Sequence, residues 1–211
     1  MSVPALQSIL KAERSYPKRQ IILYQAEDIR NFFVIEKGYV RVYDINSQGE
    51  EKVLLLLGPG DIFPIVWSFE KSETHYFYEA MTDCVIKVGK KRDLTESIEN
   101  NHEVVTSLFK YFIDKTNQLY LRIECLEATN SKFKVIQTMR YLSKFHSKRG
   151  KDGYSNVRVP LTHQDIANMT GLTRETVSIQ MKNLEDKKVL SQADSTLCIN
   201  RKLLRAQLSE E

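Results

Sequence analysis

The chain has 211 residues, of which 42% are hydrophobic and 27% charged, so its composition is that of an ordinary globular protein with enough apolar material for a core. No run approaches the roughly 20 apolar residues that a membrane-spanning helix needs, and no basic start followed by an apolar stretch marks a signal peptide. These two observations argue against a membrane-spanning helix and a signal peptide, and they predict a cytoplasmic protein. The net charge of +4 is small.

Short segments rich in β-branched and aromatic residues, such as RQIILYQ, YVRVYDI and CVIKVG, fill residues 17–95. Turn sequences separate them, including NSQG at 46–49 and GPGD at 58–61. In residues 39–43 two valines share one face and Arg41 lies on the other, which is typical of a strand with one solvated face. Many short strands at close spacing predict an antiparallel sandwich or barrel.

A helical period replaces the strand pattern from about Thr95. Five apolar residues recur at steps of three, four and seven: Val105, Leu108, Phe112, Leu119 and Leu126. A helix of about 28 residues, at 1.5 Å per residue, is longer than one small domain can cover. We therefore favour a parallel dimerisation helix over a helix packed on its own domain, although Lys115 and Arg122 at inner heptad positions weaken a strict coiled coil.

A further helix follows, with N-cap side chains at 129–131 and an apolar face that contains Val135 and Met139. Residues 148–153 are predicted to form a loop and residues 156–159 a short strand. The segment after this strand carries the motif on which the functional prediction depends.

The sequence LTHQDIANMTGLTRETVSIQMKNLEDKKVL at 161–190 predicts a helix-turn-helix. Thr162 caps a first helix, Gly171 suits the left-handed residue that ends it, and Thr173 caps a second helix. The buried stripe of the second helix is formed by Val177, Met181 and Leu184. Polar side chains are left at the N-terminal end of this helix, which enters the DNA major groove in such motifs.

Two short strands at 189–191 and 196–199 are predicted to form the wing of a winged helix-turn-helix. An ordinary helix pair with a hairpin is the alternative, but the ordered set of caps, turn and wing is more specific than any one part. The charge distribution agrees, because residues 1–129 carry 16 basic against 19 acidic side chains and residues 130–211 carry 15 against 8. A basic C-terminal region is the electrostatic pattern of a nucleic-acid-binding domain.

The whole chain resembles the Crp/Fnr family of bacterial transcription regulators. GLTRETVS at 171–178 is close to that family's recognition-helix signature, and YVRVY followed by GPGDIF is similar to its β-roll. The resemblance implies an α+β architecture with an antiparallel β-roll (a jelly-roll of the cyclic-nucleotide-binding type) at 1–97, a long dimerisation helix at 98–129 and a winged helix-turn-helix at 130–211. It also implies a homodimer that binds palindromic promoter sites in double-stranded DNA, and contact with RNA polymerase through the loop at 150–156.

The resemblance also implies which side chains contact DNA. Base contacts are expected from Arg174, Glu175, Ser178 and Ile179, and phosphate contacts from Thr162, Gln164, Thr173 and Lys182. Arg174 would pair with guanine and Glu175 would accept from cytosine N4, since a guanidinium matches guanine O6 and N7 and a carboxylate only accepts. The N-termini of the two helices would assist the phosphate contacts.

Ile179 departs from the family pattern, in which an arginine commonly stands at this position and meets a second guanine. Isoleucine donates no hydrogen bond but can contact a thymine methyl group. We therefore expect a palindromic site that keeps the G·C pair read by Arg174 and Glu175 and differs at the pair that faces Ile179.

The family's cyclic-nucleotide site uses a Gly-Glu pair for the ribose and an Arg-Ser pair for the phosphate. Here Pro64-Ile65 and Thr74-His75 stand at the matching positions, and no arginine lies between residues 42 and 91. A buried phosphate without a cation is costly, so binding of cyclic AMP or cyclic GMP is not expected. The cysteine cluster of Fnr-type sensing is also missing.

An aromatic and apolar region remains where the nucleotide would bind. The candidate effector pocket consists of Phe63, Ile65, Trp67, His75, Phe77 and Tyr120. These side chains either fill the pocket, so that the regulator binds DNA without a ligand, or line a site for an unidentified apolar effector. Haem bound through His75 is a weaker alternative because a single strand histidine is usually structural, and no other cofactor or metal is expected.

Two other classes of function compete with transcription regulation. A cyclic-nucleotide-binding regulatory module without a direct transcriptional role would need the missing phosphate cassette, and it leaves the helix-turn-helix unexplained. An enzyme is not expected, because the sequence has no nucleophile elbow, P-loop or zinc motif. Three widely spaced cysteines without a C-x-x-C pair predict buried reduced thiols, with a redox role for Cys125 as the alternative.

Overall fold

The computed structural model describes residues 4–64, 66, 73–193 and 196–209. The chain forms two compact units: unit 1 comprises Met1–Ile45 and Leu54–Thr116, and unit 2 comprises Asn46–Val53 and Asn117–Glu211. This division differs from the predicted domains at 1–97, 98–129 and 130–211. It falls within the long helix, whose first half packs in unit 1 and whose second half packs in unit 2.

Unit 1 begins with a 3-10 helix, Pro4–Ile9, and is built mainly from two four-stranded antiparallel sheets. Its strands are β1 (Leu10–Tyr16), β2 (Ile21–Leu23), β3 (Asn31–Lys37), β4 (Val40–Ile45), β5 (Glu51–Leu57), β6 (Ile62–Phe63), β7 (Phe77–Ala80) and β8 (Cys84–Lys90). The strand orders are β1-β8-β3-β6 in one sheet and β2-β7-β4-β5 in the other. The predicted β-roll architecture is confirmed, with the first three residues of β5 lying in the part of the chain assigned to unit 2.

The two sheets enclose one apolar core. Val40 and Val42 are both buried on one side of β4, as the alternating pattern predicts. The Phe63 ring stacks with the rings of Phe33 and Tyr78, at centroid distances of 5.3 Å and 5.1 Å. Stacked aromatic rings of this size contribute much of the buried apolar area in a small core.

Strand β1 lies outside the predicted strand region, which starts at residue 17. It pairs with β8 from Leu10, opposite Gly89, to Tyr16, opposite Cys84. The five residues between Leu10 and Tyr16 are all exposed, so β1 is held by backbone pairing and by apolar contacts at its two ends. A strand of this kind has no alternating pattern that sequence reasoning could detect.

Two helices follow the sheets: α1 (Lys91–Asn100) and α2 (His102–Glu127). Asn101 separates them with an extended backbone, φ −135° and ψ 102°. Its side-chain oxygen accepts from the backbone N–H groups of Glu103 and Val104, at 2.9 Å and 3.3 Å. An asparagine that caps a new helix in this way ends the preceding one, so the long helix begins at His102 rather than at residue 98.

The first half of α2 is fixed to unit 1 by polar contacts as well as apolar ones. The buried Tyr111 hydroxyl donates to the Ile62 carbonyl at 3.1 Å and accepts from the Ile62 N–H at 3.0 Å. Burial raises the pKa of Tyr111 well above its ordinary value, so the hydroxyl keeps the proton that it donates. Lys115 forms an ion pair with Asp61 at 2.5 Å, which explains a charged residue at an inner heptad position.

Unit 2 contains the second half of α2, four further helices and a four-stranded antiparallel sheet. The helices are α3 (Ser131–Phe145), α4 (His163–Thr170), α5 (Arg174–Asp186) and α6 (Arg201–Leu208). The strands are β9 (Ser147–Arg149), β10 (Tyr154–Val157), β11 (Leu190–Ala193) and β12 (Thr196–Asn200), in the order β11-β12-β10-β9. The predicted winged helix-turn-helix is confirmed.

Strand β9 corrects the sequence analysis, which assigns residues 148–153 to a loop. Lys148 pairs with Asn156 and Arg149 with Ser155, while the side chains of Lys148 and Arg149 remain exposed. A backbone ladder of this kind needs no apolar residues, and the sequence therefore shows turn signals only. No helix in the described part of the chain has the length and hydropathy that a bilayer crossing requires.

Candidate DNA-binding interface

Helix α4 is closed at both ends by local contacts. At its start, the Thr162 hydroxyl accepts from the Asp165 N–H at 3.2 Å, and the Asp165 carboxylate accepts from the Thr162 N–H at 2.7 Å. At its end, Gly171 has φ +69° and donates its N–H to the Ala167 carbonyl at 2.9 Å. This reciprocal capping box, visible in the sequence as T-H-Q-D, and the left-handed glycine fix the length of α4 and the direction of the turn.

Helix α5 begins immediately after this turn and buries one side. The Thr173 hydroxyl caps it by accepting from the Thr176 N–H at 3.2 Å. Val177, Met181 and Leu184 are no more than 3% exposed, so the predicted apolar stripe is confirmed. The side of α5 that faces away from this stripe remains exposed, and we call it the free side.

Glu175, Ile179 and Lys182 project from that free side. Arg174 is exposed in the first turn, where it continues the line of the buried stripe at the very start of the helix. All four are expected DNA contacts. We call this set the recognition surface. Arg174 and Glu175 stand in the first turn, and Ile179 is 60% exposed. Glu175, Ile179 and Lys182 are spaced i, i+4, i+7, which places them on one face of the helix.

Ser178 has a different environment from the other expected base contacts. It is half-buried, and its hydroxyl donates to the Arg174 carbonyl at 2.9 Å. The same oxygen lies 2.8 Å from Nδ1 of His163 in α4. Because the serine proton is directed to Arg174, Nδ1 of His163 must supply the proton of the second bond. Ser178 and His163 thus join α4 to α5, a contact across fifteen residues that no local sequence pattern indicates.

The remaining expected phosphate contacts lie at the starts of the two helices. Thr162 and Thr173 are N-cap residues, and exposed Gln164 donates its amide to Asn168 at 2.8 Å. Free N–H groups and the partial positive charge of a helix N-terminus favour anions. Both helix starts therefore offer N–H donors to a phosphate, and at the start of α4 the Asp165 carboxylate already accepts from the Thr162 N–H.

A second exposed feature is an apolar stripe along α2. Its members, which we call the α2 seam, are Val105, Phe109, Phe112, Leu119, Ile123 and Leu126. All except the partly buried Phe112 are large hydrophobic residues between 39% and 65% exposed. Together with Thr116 these positions alternate steps of four and three, as in a two-stranded coiled coil.

Leu108 corrects the predicted stripe. It is 4% exposed and packs in unit 1 with Phe32, Val34 and Tyr111, so it cannot face a second chain. Leu108 and Phe109 are adjacent apolar residues that point in different directions around α2. The core of unit 1 buries Leu108. Phe109 takes its place on the exposed side.

Comparison with known families identifies both units. Residues 13–101 match the family described as the cyclic nucleotide-binding domain, and residues 136–207 match the Crp-like helix-turn-helix domain. The two matches span most of the chain and occur in the order that the fold shows. The chain belongs to the Crp/Fnr family of transcription regulators.

Individual Crp/Fnr proteins resemble the chain over nearly its whole length. The cAMP-activated global transcriptional regulator CRP of Haemophilus influenzae is 24% identical over 186 residues, which are 87% of this chain and 82% of that protein. The anaerobic regulatory protein of Pasteurella multocida is 23% identical over 206 residues, covering 97% of this chain and 74% of that protein.

Solved Crp/Fnr structures show the same fold. The structure of FixK2 from Bradyrhizobium japonicum superposes with a TM-score of 0.78 at 21% identity, covering 92% of this chain and 96% of that chain. A mutant of CooA from Carboxydothermus hydrogenoformans gives a TM-score of 0.74 at 23% identity, covering 95% of this chain and 88% of that chain. The family consists of transcription regulators rather than enzymes, in agreement with the sequence analysis.

In this Crp/Fnr chain two of the candidate effector residues, Phe63 and Phe77, occupy different faces of the sheets. Phe63 lies in the core beside Tyr78, whereas Phe77 projects from the other face of β7 and stacks on Tyr43 at 5.2 Å. Successive strand residues point to opposite sides of a sheet, so Phe63 and Phe77 cannot line a common cavity. His75 is exposed, Tyr120 is 62% exposed, and Ile65 and Trp67 lie outside the described residues.

Proposed function

We propose that this Crp/Fnr regulator binds palindromic promoter sites as a homodimer and reads bases through Arg174 and Glu175. The observation that carries the proposal is the recognition surface, in which a guanidinium and a carboxylate are exposed in the first turn of a capped helix. Arg174 matches the O6 and N7 acceptors of guanine, and Glu175 accepts from cytosine N4. Ile179 adds an apolar contact suited to a thymine methyl group, and Ser178 acts mainly by holding the backbone of Arg174.

The α2 seam supports the homodimer. Monomeric soluble proteins rarely expose a contiguous apolar stripe of this length, and its step pattern is that of a parallel helix pair. A two-fold dimer presents two copies of α5 to half-sites about one helical turn of DNA apart, so the operator is palindromic.

We propose that DNA binding needs no cyclic nucleotide. At the position expected for the phosphate-binding Arg-Ser pair, Thr74 is buried and donates its hydroxyl to the Tyr76 carbonyl at 3.1 Å, and it brings no cation. The Arg41 guanidinium instead pairs with the Glu79 carboxylate at 2.8 Å. Phe63 stacks with Phe33 and Tyr78 in the core of the β-roll, which supports a ligand-independent regulator. His75 is exposed, so we propose no haem.

RNA polymerase is the further partner that we propose, through the exposed turn between β9 and β10 at 150–153. A regulator that binds chromosomal DNA acts where that DNA lies, and we propose the bacterial cytoplasm. Transcription in vitro from a promoter that carries the selected site tests the polymerase contact: a turn variant that binds DNA normally but leaves transcription unregulated would support it, whereas unchanged regulation would contradict it.

The test of the proposed function is selection of duplexes from random DNA by the purified protein with no small molecule added. We expect a palindrome with a G·C pair at matching positions of the two half-sites. Fluorescence anisotropy on the selected duplex then compares Arg174→Ala and Glu175→Ala with Arg158→Ala, which removes an exposed arginine outside α5.

The first two variants should lose about tenfold or more in affinity for the selected duplex, and Arg158→Ala should not. Failure to enrich any sequence, or equal losses in all three variants, would contradict base reading by α5. Strict dependence on added cyclic AMP or haem would overturn the ligand-independent part alone.

A further inference from the structure

Arg122 is a buried arginine in the second half of α2, and all of its described contacts lie in unit 2. The residue is 3% exposed, and its Nη2 atom donates to the carbonyl oxygens of Val53 at 3.0 Å and Met169 at 2.8 Å. Its Cζ atom lies 5.5 Å from the centre of the Tyr141 ring in α3. A charge is costly to bury, and here two backbone carbonyl groups and an aromatic ring offset part of that cost.

The Met169 carbonyl belongs to the last turn of α4. The final carbonyl groups of a helix have no partner within the helix, and a cation at this end also interacts favourably with the helix dipole. The neighbouring Gly171 N–H bonds to Ala167, so Arg122 supplies the contact for Met169 from outside the helix. Arg122 therefore fixes the end of α4 that leads through the turn into α5.

The Val53 carbonyl connects the same guanidinium to segment 46–53, the hairpin tip between β4 and β5. A second bond joins this tip to α4, because the Asn168 amide donates to the Glu51 carboxylate at 3.0 Å. The tip is internally braced, since the Asn46 side chain accepts from the Gln48 and Glu50 N–H groups at 3.0 Å and 2.9 Å. In α4, Asn168 is thus bonded to this segment directly, and Met169 is connected to it through Arg122.

We propose that Arg122 is a positioning residue for DNA recognition. By joining α2, segment 46–53 and the carbonyl end of α4, it sets the orientation in which α5 presents Arg174 and Glu175. This inference rests on the proposed function and adds to it a residue that does not contact DNA. Arginine suits the role because its planar group holds N–H donors in fixed directions, whereas lysine offers a single point charge on a flexible stem.

The test uses the full-length protein and the duplex selected by the wild type, with a scrambled duplex of equal length for non-specific binding. The variants are Arg122→Met, Arg122→Lys and Glu51→Ala. The matched control is Arg140→Met, which removes an arginine of α3 that is 40% exposed and pairs with Glu124 at 2.6 Å. Affinity for both duplexes is measured by anisotropy, oligomeric state by sedimentation, and amide hydrogen exchange at residues 168–173 by mass spectrometry.

We expect Arg122→Met to weaken binding of the selected duplex by about tenfold or more. Binding of the scrambled duplex should change by less than about twofold, because non-specific binding depends on contacts between charged side chains and phosphates. Arg122→Lys should fall between Arg122→Met and the wild type, and Glu51→Ala should lose about threefold on the selected duplex alone. Amide exchange at 168–173 should be faster in Arg122→Met than in Arg140→Met.

Equal losses on both duplexes, or wild-type affinity of Arg122→Met for the selected duplex, would overturn the inference. If Arg122→Met fails to fold, Arg122→Lys and Glu51→Ala decide the matter, because a selective loss in both supports the inference and its absence in either refutes it. A wild-type protein that prefers no duplex over the scrambled one would instead refute the proposed function.

Discussion

Replacing Ile123 with glutamate tests whether the α2 seam is a dimer interface. Ile123 is 54% exposed, so about half of its side chain remains to be covered by a second chain. Complete burial of an isoleucine side chain is worth about 1.5–3 kcal/mol, and a two-fold dimer contains two copies. Loss of the apolar contact should therefore cost about 1.5–3 kcal/mol of association free energy, a roughly 10- to 150-fold increase in the dimer Kd. The two glutamate charges close to the two-fold axis add to this loss.

Sedimentation velocity over a range of protein concentrations measures the dimer Kd of Ile123→Glu directly. Ile45→Glu is the matched control, because Ile45 is a similarly exposed isoleucine at the end of β4, with 43% exposure. Ile45→Glu should leave the dimer Kd unchanged. If both variants have the same dimer Kd as the wild type, or the wild type is itself a monomer at micromolar concentration, then the seam is not the dimer interface.

Three further predictions test local features. Gly171→Ala should lower the free energy of unfolding by about 1 kcal/mol in urea titrations. The φ of +69° disfavours a residue with a Cβ, and no described atom lies within 4 Å of the added Cβ, so the cost comes from the backbone conformation alone. An unchanged stability would contradict the left-handed cap. Burial raises the pKa values of the Cys84 and Cys125 thiols, so Ellman's reagent should react slowly at pH 8 until urea is added, and fast reaction of Cys125 in the folded protein would support the redox alternative. Since the folded state then holds these protons more tightly than the unfolded chain does, the free energy of unfolding should fall as the pH rises above the ordinary thiol pKa of about 8.5. The logarithm of operator affinity should fall steeply with the logarithm of salt concentration, and a flat response would argue against phosphate contacts at the two helix starts.

The helix-turn-helix could be predicted from the sequence because its determinants are local. Thr162, Gly171 and Thr173 act on backbone groups within four residues, and the stripe of α5 repeats within one helix. Such signals need no knowledge of the rest of the fold.

The burial of Leu108 could not be predicted, because it depends on partners far away in the chain. Leu108 and Phe109 are equally apolar, and only the core of unit 1 decides which of them is buried. Lys115 and Arg122 weaken a coiled coil in the sequence, yet both turn toward groups of their own chain, Asp61 for the first and the Val53 and Met169 carbonyls for the second.

The faces that two of the candidate effector residues occupy could not be predicted for a related reason. Phe63 and Phe77 are both aromatic strand residues, but the face that each occupies is set by the register of β6 and β7 within different sheets. A shift of one residue exchanges the two faces of a strand, and sequence composition does not report register.

The most direct test of base reading by Arg174 is a double-mutant cycle on the selected operator. The guanine of each half-site is replaced with 7-deazaguanine, which lacks the N7 acceptor, and the affinities of the wild type and of Arg174→Ala are measured for both duplexes. The wild type should lose about 1 kcal/mol or more per half-site, whereas Arg174→Ala should bind both duplexes equally. Equal losses in the two proteins would contradict a contact between Arg174 and the guanine edge.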